Sequence, residues 1–597
     1  MLVYSDVECV GTVGEKQTAI ANRLDEVGAL PPGSERHAAL VSAFISTSEL
    51  VQGLIDSDSQ TRGFDALSPV HMSGMECLSL LAQSVLQSWQ SGFSQAPLPV
   101  SFRNKLLSFN PDQTIRTKRA EGYAFYALYP ETYGEAALRS GLGSSARVIG
   151  IRSIGAGLSA IVAAALNASP AFTVRPMGHP FHREMRVDPA VTAMLTQDPN
   201  AAFAIVDEGP GLSGSSFGAV ADWLEAAGIA RERIHFFPSH AGPLGPQASS
   251  SHRERWGSAS RHFVSMDELL LNHESHPLTH WVESLTGTLR NELEEISGGS
   301  WRALRYREHD SWPAANIQQE RRKFLARTED AAWLVKFAGL GESGFRKYRI
   351  AQQLHQAGFT PEVAGFRHGF LVERWHGDAL SLDQQLSEQD ELVRQIGAYL
   401  GYRARHFPAE PHQGSSLAKL REMAHYNTGQ ALGEQAASTL DRALPSVDGL
   451  GRHARRVFTD NRMQPWEWLV IGDRLIKTDA LDHCATHDLI GCQDIAWDIA
   501  GAAVEFSLSA QDIDLLCTIV EEESGHPVSP ALLSFLVPCY LAFQIGAHAM
   551  AADALRGNGE ETRLRLAVGR YGLLLRSQLE HPGRLGFNKE QDRVPAS

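Results

Sequence analysis

The stretch Phe203-Ala-Ile-Val-Asp-Glu-Gly-Pro-Gly-Leu-Ser-Gly-Ser-Ser216 constrains this chain more than any other. Phe203 to Val206 is uniformly apolar, the pattern of a short strand buried on both faces. It ends in adjacent carboxylates, Asp207 and Glu208. A Gly/Ser loop follows, and Phe217 to Gly228 has helical spacing and closes on a glycine. Such an order belongs to an open sheet of parallel strands with helical crossovers. Its chemistry suits a phosphosugar. Loop N–H groups and the helix dipole hold a phosphate, serine hydroxyls add donors, and the carboxylates accept bonds from sugar hydroxyls. A plainer reading of the same residues is a strand–turn–helix with an N-cap serine.

The segment resembles the phosphoribosyl-pyrophosphate signature of the type I phosphoribosyltransferases, in which apolar residues precede two acids and a Thr/Ser-Gly-x-Thr/Ser loop. The resemblance implies that Asp207 and Glu208 bind ribose hydroxyls, with Ser213, Gly214, Ser215 and Ser216 on the 5-phosphate. One departure stands. Five residues, Gly209 to Ser213, separate Glu208 from Gly214 where the family has four. Either the loop is one residue longer or Glu208 takes the first acidic position.

Upstream, Ala146 to Leu166 supplies a second strand–loop–helix: Val148 to Ile151, the loop Arg152 to Gly157, then an Ala-rich helix. In the resembled family the loop after the first core strand binds pyrophosphate. The resemblance therefore places Arg152 and Ser153 on that group, with Gly155 and Gly157 permitting close backbone approach. Between the two motifs, Val174 to Arg186 carries three Arg and two His. Arg175, His179, His182 and Arg183 become candidates for pyrophosphate contacts, against the plainer reading of a solvated basic hairpin. His240, after the apolar run Ile234 to Pro238, is a further candidate at a strand's carboxyl end. A hydrolase elbow, Gly-x-Ser-x-Gly, is half satisfied at Ser153 and at Ser213, without an evident Asp and His to follow.

The chain has 597 residues, a formal net charge of -15 and 43% hydrophobic residues. That composition describes a soluble, multi-domain protein and argues against a nucleic-acid partner. Six scattered cysteines without paired spacing fit a reducing, cytoplasmic setting. The N-terminus lacks a signal-peptide pattern. The apolar tract Ala531 to Leu555 contains Pro538, Gln544 and His548, so it reads as a buried helix rather than a membrane span. Residues 1–95 look helical. Residues 96–290 form the parallel-sheet domain, with the aromatic segment Gln95 to Arg139 as a hood over its site. Ser297-Gly-Gly-Ser300 reads as a linker to a last region, 300–585.

Beyond it, Lys323 to Phe337 reads as a β-hairpin turning at Glu329-Asp330, with Lys336 after an apolar run. A helix from Gly344 to Ala357 and a second hairpin through Phe366 to Gly377 follow. This order resembles the aminoglycoside-phosphotransferase-like branch of the protein-kinase fold. The resemblance implies Lys336 on nucleotide phosphates, the Leu371-Val-Glu373 backbone on the adenine edge, Asp479 on a metal, and Asp498 in a structural role. Phe458 to Val470 stands at the catalytic loop, His-Gly-Asp-x-x-x-x-Asn in the family. Without a gap, Arg462 falls on the catalytic Asp and Glu467 on the metal-binding Asn. With two extra residues, Asp460 becomes the base. The helix Glu that pairs with the strand Lys is missing, since Lys347 falls near its position and Glu342 lies before the helix.

The expected fold is thus α/β: an N-terminal parallel-sheet phosphoribosyltransferase-like domain plus a C-terminal kinase-like α+β domain. The leading functional expectation is a transferase acting on small molecules, using phosphoribosyl pyrophosphate or a ribose phosphate with Mg²⁺ and fused to a kinase-like phosphotransferase domain, for which ATP is the candidate donor. The alternative is a regulatory protein whose two domains bind without turnover. Acceptor and oligomeric state are open.

Overall fold

The computed structural model describes residues 8–211, 213–385, 387–452, 454–484 and 489–581. Arg147–Ile151 lies inside a five-stranded parallel sheet, with Phe172–Val174 on one side and Phe203–Val206, Ile234–Phe237 and Ser260–Arg261 on the other. Phe203–Val206 is buried along its whole length, as its unbroken apolar run requires. The crossover helix Gly155–Ala165 sits so close to the first strand that a methyl group at Gly150 would meet Ser159 Oγ at 2.3 Å. The basic stretch is a short hairpin, Met177–His179 with His182–Glu184.

After a strand, Glu8–Thr12, paired with Thr114–Lys118, the described part of the first 95 residues is chiefly helical: Val13–Ala29, Ser34–Arg62 and Pro69–Gln90. They do not form a core of their own. Leu40, Phe44, Leu78 and Leu81 share one hydrophobic core with Ile161 of the crossover helix and with Phe337 and Phe370 of the C-terminal half. Burying so many apolar side chains in one core binds the regions together.

The C-terminal half opens on an antiparallel sheet ordered Glu294–Glu295, Lys323–Arg327, Ala332–Phe337, Phe370–Arg374, Val363–Arg367. The hairpin foreseen around Glu329-Asp330 is present, with Lys323 opposite Lys336. The residues read as a linker are instead a turn on this sheet's edge: Ile296 N–H donates to Lys323 O at 2.9 Å and Gly299 N–H to Glu320 Oε2 at 2.8 Å. The next helix runs Gly341–Gln356, so Glu342 lies in its first turn and not before it. A second core is built from the helices Gln389–His406, Ala496–Glu505, Ala510–Ser524, Pro530–Ala554 and Gly559–Glu580. The small sheet of Leu380–Ser381, Trp468–Ile471 and Arg474–Lys477 belongs to the same half.

Two helices, Ser34–Arg62 and Pro530–Ala554, are long and apolar enough to cross a membrane, but 89% and 72% of their apolar windows are buried inside the protein.

Candidate active site

A cavity of about 250 Å³ lies between the antiparallel sheet and the helical half. Lys336, Glu373, Glu467 and Asp479 all line it, together with Asp482 and His483. Lys336 projects from the strand Ala332–Phe337 into a carboxylate pair, bonded to Asp479 Oδ1 and Asp482 Oδ2. Burial works against the charged ammonium, but the two carboxylates outweigh it and hold the lysine above its ordinary range. Asp479 follows the strand Arg474–Lys477 with φ of +55°, a left-handed conformation that costs a non-glycine residue about 1–2 kcal/mol. Burial raises its pKa, yet Lys336 and His483 more than offset this and keep it ionised.

Glu467 enters from the turn Pro465–Glu467 and meets Asp479 and His483. One ligand atom from each of the three residues falls within 4.8 Å of the others. Lys477, fully buried behind them, donates to Glu467 Oε2 at 2.9 Å, and Arg462 Nε lies 3.1 Å from Glu467 Oε1. Asn461 and Gln464 line the same cavity, and their Oδ1 and Oε1 atoms are buried without a hydrogen-bond partner. The wall is rich in oxygen donors, the set that suits a hard divalent cation.

Two site expectations fail here. Asp460 lies outside the cavity lining: its side chain is 0% exposed, takes a hydrogen bond from Tyr399, and lies 3.4 Å from Lys477. A carboxylate so enclosed cannot reach an acceptor hydroxyl. Its backbone N–H and that of Asn461 donate to Asp498 at 2.7 and 2.8 Å. Asp498 thus pins the loop, the structural role expected of it, and leaves Arg462 facing the cavity, as in the gap-free register. The second failure is the Leu371-Val-Glu373 backbone. Its strand is central, paired with Ala332–Phe337 on one side and Val363–Arg367 on the other. Its main-chain groups are used in the sheet, and only the Glu373 side chain, raised to about 7 by burial, reaches the cavity.

Asp482 and Lys477 were missed as site residues. The missing helix Glu is replaced with reversed polarity. Helix Gly341–Gln356 contributes Lys347, whose Nζ is 2.6 Å from Asp482 Oδ1, and burial lowers this lysine to about 8. A basic residue where the pattern wants an acid is a sequence signal that its partner has become acidic. Nothing local to Asp482 says so.

At the carboxyl edge of the parallel sheet, Asp207 and Glu208 lie together, half-buried. Two residues of the aromatic segment reach them: Tyr133 Oη donates to Asp207 O at 2.8 Å, and Gly122 packs where a methyl group would meet Glu208 Cδ at 2.9 Å. The turn bearing Ser153 leads to Gly155, where a methyl group would lie 3.5 Å from Asp207 Oδ1. In the serine loop, Gly214 takes φ of +61°, and Ser213 and Ser215 both donate to Pro180 O of the basic hairpin, at 3.2 and 2.7 Å. Ser216 sits half-buried in the first turn of helix Ser215–Ala226. Ser213 therefore pairs with the hairpin and not with a histidine, which removes the hydrolase reading there.

Arg152 is not in this site. Its side chain is 1% exposed and bonded to Asp56, Asp65 and Thr173 O. Arg175 is likewise drawn to Asp56, at 2.5 Å. The pyrophosphate role of Arg152 is corrected to a structural one.

Burial raises Asp207 to about 7 and Glu208 to about 8, the second helped by the charge of Asp207. Both carboxyls ionise near pH 4 in an unfolded chain. Between about pH 4 and pH 8 the folded state therefore holds protons that the unfolded state has released, and stability falls as pH rises. A loss of several kcal/mol, roughly 4 per carboxyl at most, is expected across that window. The Asp207→Asn/Glu208→Gln variant should flatten the slope in urea melts. An equal slope in both proteins would contradict this assignment.

No family model matches the chain, and no curated protein matches it. Solved structures similar to parts of it include three kinases. Choline kinase LicA from Streptococcus pneumoniae is 15% identical, with a TM-score of 0.27, over 44% of this chain and 89% of the other. Spectinomycin phosphotransferase, solved with ADP and spectinomycin, is 12% identical, with a TM-score of 0.33, over 52% and 95%. Plasmodium vivax ethanolamine kinase is 12% identical, with a TM-score of 0.30, over 57% and 99%.

Proposed function

We propose that the cavity of the C-terminal half binds a nucleoside triphosphate with a divalent cation and transfers its terminal phosphoryl group. The observation that carries this is the convergence of Glu467 and Asp479 on one wall, with Lys336 bonded to Asp479 from the facing strand. Glu467 and Asp479 would hold Mg²⁺, which would supply positive charge beside the phosphates during transfer. Lys336, held protonated by Asp479 and Asp482, would meet the phosphates. Apolar walls at Leu334 and Leu469 offer a slot for the base.

The loop presents Arg462, and not a carboxylate, to the acceptor side. Phosphoryl transfer passes through a loose transition state that depends on positioning and charge more than on a strong base. Arg462 can stabilise that charge. The same feature supports the second reading, a site that binds nucleotide without turnover. Formation of ADP from Mg–ATP separates the two. Slow ADP release that disappears in Glu467→Gln is expected, and binding with no ADP over hours would leave only the binding reading.

For the N-terminal half we infer a ribose-phosphate site at Asp207, Glu208 and the Ser213–Ser216 loop. It is supported by the acidic pair at the carboxyl edge of a parallel sheet, where such sheets take ligands. Ser213 and Ser215 would exchange Pro180 O for phosphate oxygens, and the pyrophosphate of phosphoribosyl pyrophosphate would face Ser153.

A further inference from the structure

Outside the lining of the cavity, three residues distant in sequence meet in the core. His37 comes from helix Ser34–Arg62, Glu131 from the first turn of helix Pro130–Arg139, and His368 from the turn between Val363–Arg367 and Phe370–Arg374. Glu131 Oε1 lies 2.7 Å from His37 Nε2 and 2.8 Å from His368 Nε2. Their side chains are 0%, 0% and 1% exposed. Trp89, Phe93, Tyr129 and Trp281 ring the two imidazoles.

We propose that His37, Glu131 and His368 bind a divalent transition-metal ion of the zinc class, which staples the N-terminal helices to the C-terminal sheet. Three observations support it. First, a carboxylate in an apolar core needs a positive partner, and the side-chain groups that meet Glu131 Oε1 are the Nε2 atoms of two imidazoles, both buried with it. Second, Glu131 Oε2 is buried with no hydrogen-bond partner, a free donor beside the other ligand atoms. Third, one imidazole is oriented as a ligand is, and the other is carried on a fixed backbone. His37 Nδ1 is 2.9 Å from Ser88 Oγ, which leaves Nε2 for the ion. His368 is held at φ of +36° while Tyr129 Oη binds its carbonyl at 2.9 Å. Such a backbone persists in a bulky residue only where its surroundings demand it.

Two imidazoles and a carboxylate suit zinc, at about 2.0–2.2 Å from each donor. Both Glu131 oxygens can serve, which completes a closed, water-free set. Complete burial makes the role structural, since no substrate reaches the ion.

The test uses the full chain, purified without chelator and with no added metal. Elemental analysis should find about one transition-metal ion per chain. Cobalt exchanged for it should give the intense visible absorption of a four-coordinate site. Glu131→Gln and His368→Gln should each lose the ion while keeping the far-ultraviolet helix signal, and chelation should lower the wild-type melting temperature by several degrees. Asp479→Asn should keep the ion, which separates this site from the oxygen-rich cavity. Metal-free wild type that takes up neither zinc nor cobalt overturns the proposal. So does metal retained by both Glu131→Gln and His368→Gln, or lost on Asp479→Asn alone.

Discussion

Arg152→Met should destabilise the protein by about 3–5 kcal/mol, the cost of leaving buried carboxylates without their cation. Arg152 spans Asp56 and Asp65 on the second helix and the loop after it, and its third contact is the carbonyl of Thr173 in the parallel sheet. Methionine fills the volume but none of the charge. Asp56 retains Arg175 and Gln52, so Asp65 carries most of the penalty, with Ser59 and the Arg175 N–H left to it. Urea denaturation should show the midpoint falling with an unchanged slope. A variant of normal stability that has lost only ligand affinity would return Arg152 to the pyrophosphate role.

The second large effect is on binding. Asp479→Asn removes one of the two carboxylates that converge with His483 in the cavity, while its size and its left-handed backbone are kept, since asparagine tolerates that region. Lys336 keeps Asp482, and Asp482 keeps Lys347, so the fold should survive. The cation should not. Loss of a charged ligand to Mg²⁺–triphosphate is expected to weaken nucleotide binding at least about 100-fold, or roughly 3 kcal/mol.

Much of this was legible in the residues, and the failures have physical causes. The parallel sheet was readable because Phe203 to Val206 is short, apolar and followed by acids and small residues. The first hairpin of the C-terminal half was readable because two short apolar runs flank the Glu329-Asp330 turn. Arg152 misled because a glycine loop with an arginine looks like an anion site, and its true partners, Asp56 and Asp65, lie about 90 residues away in sequence. Asp460 misled because spacing does not say which way a side chain turns. Its enclosure depends on Tyr399, Lys477 and Asp498, which come from three separate elements. The expected linker at Ser297 failed because a Gly-Gly pair serves a tight turn as well as a tether. Gly298 and Gly299 both take positive φ, at +62° and +83°. The triad of His37, Glu131 and His368 left no trace in sequence, since its members are separated by 94 and 237 positions.

The central claim is that the cavity at Lys336, Glu467 and Asp479 holds a metal–nucleotide. Calorimetric titration of the whole chain with ATP, with and without Mg²⁺, tests it most directly. Saturable heat that requires Mg²⁺ and is lost in a folded Asp479→Asn protein is the result expected. No heat with wild type, or an undiminished isotherm in Asp479→Asn, would contradict it.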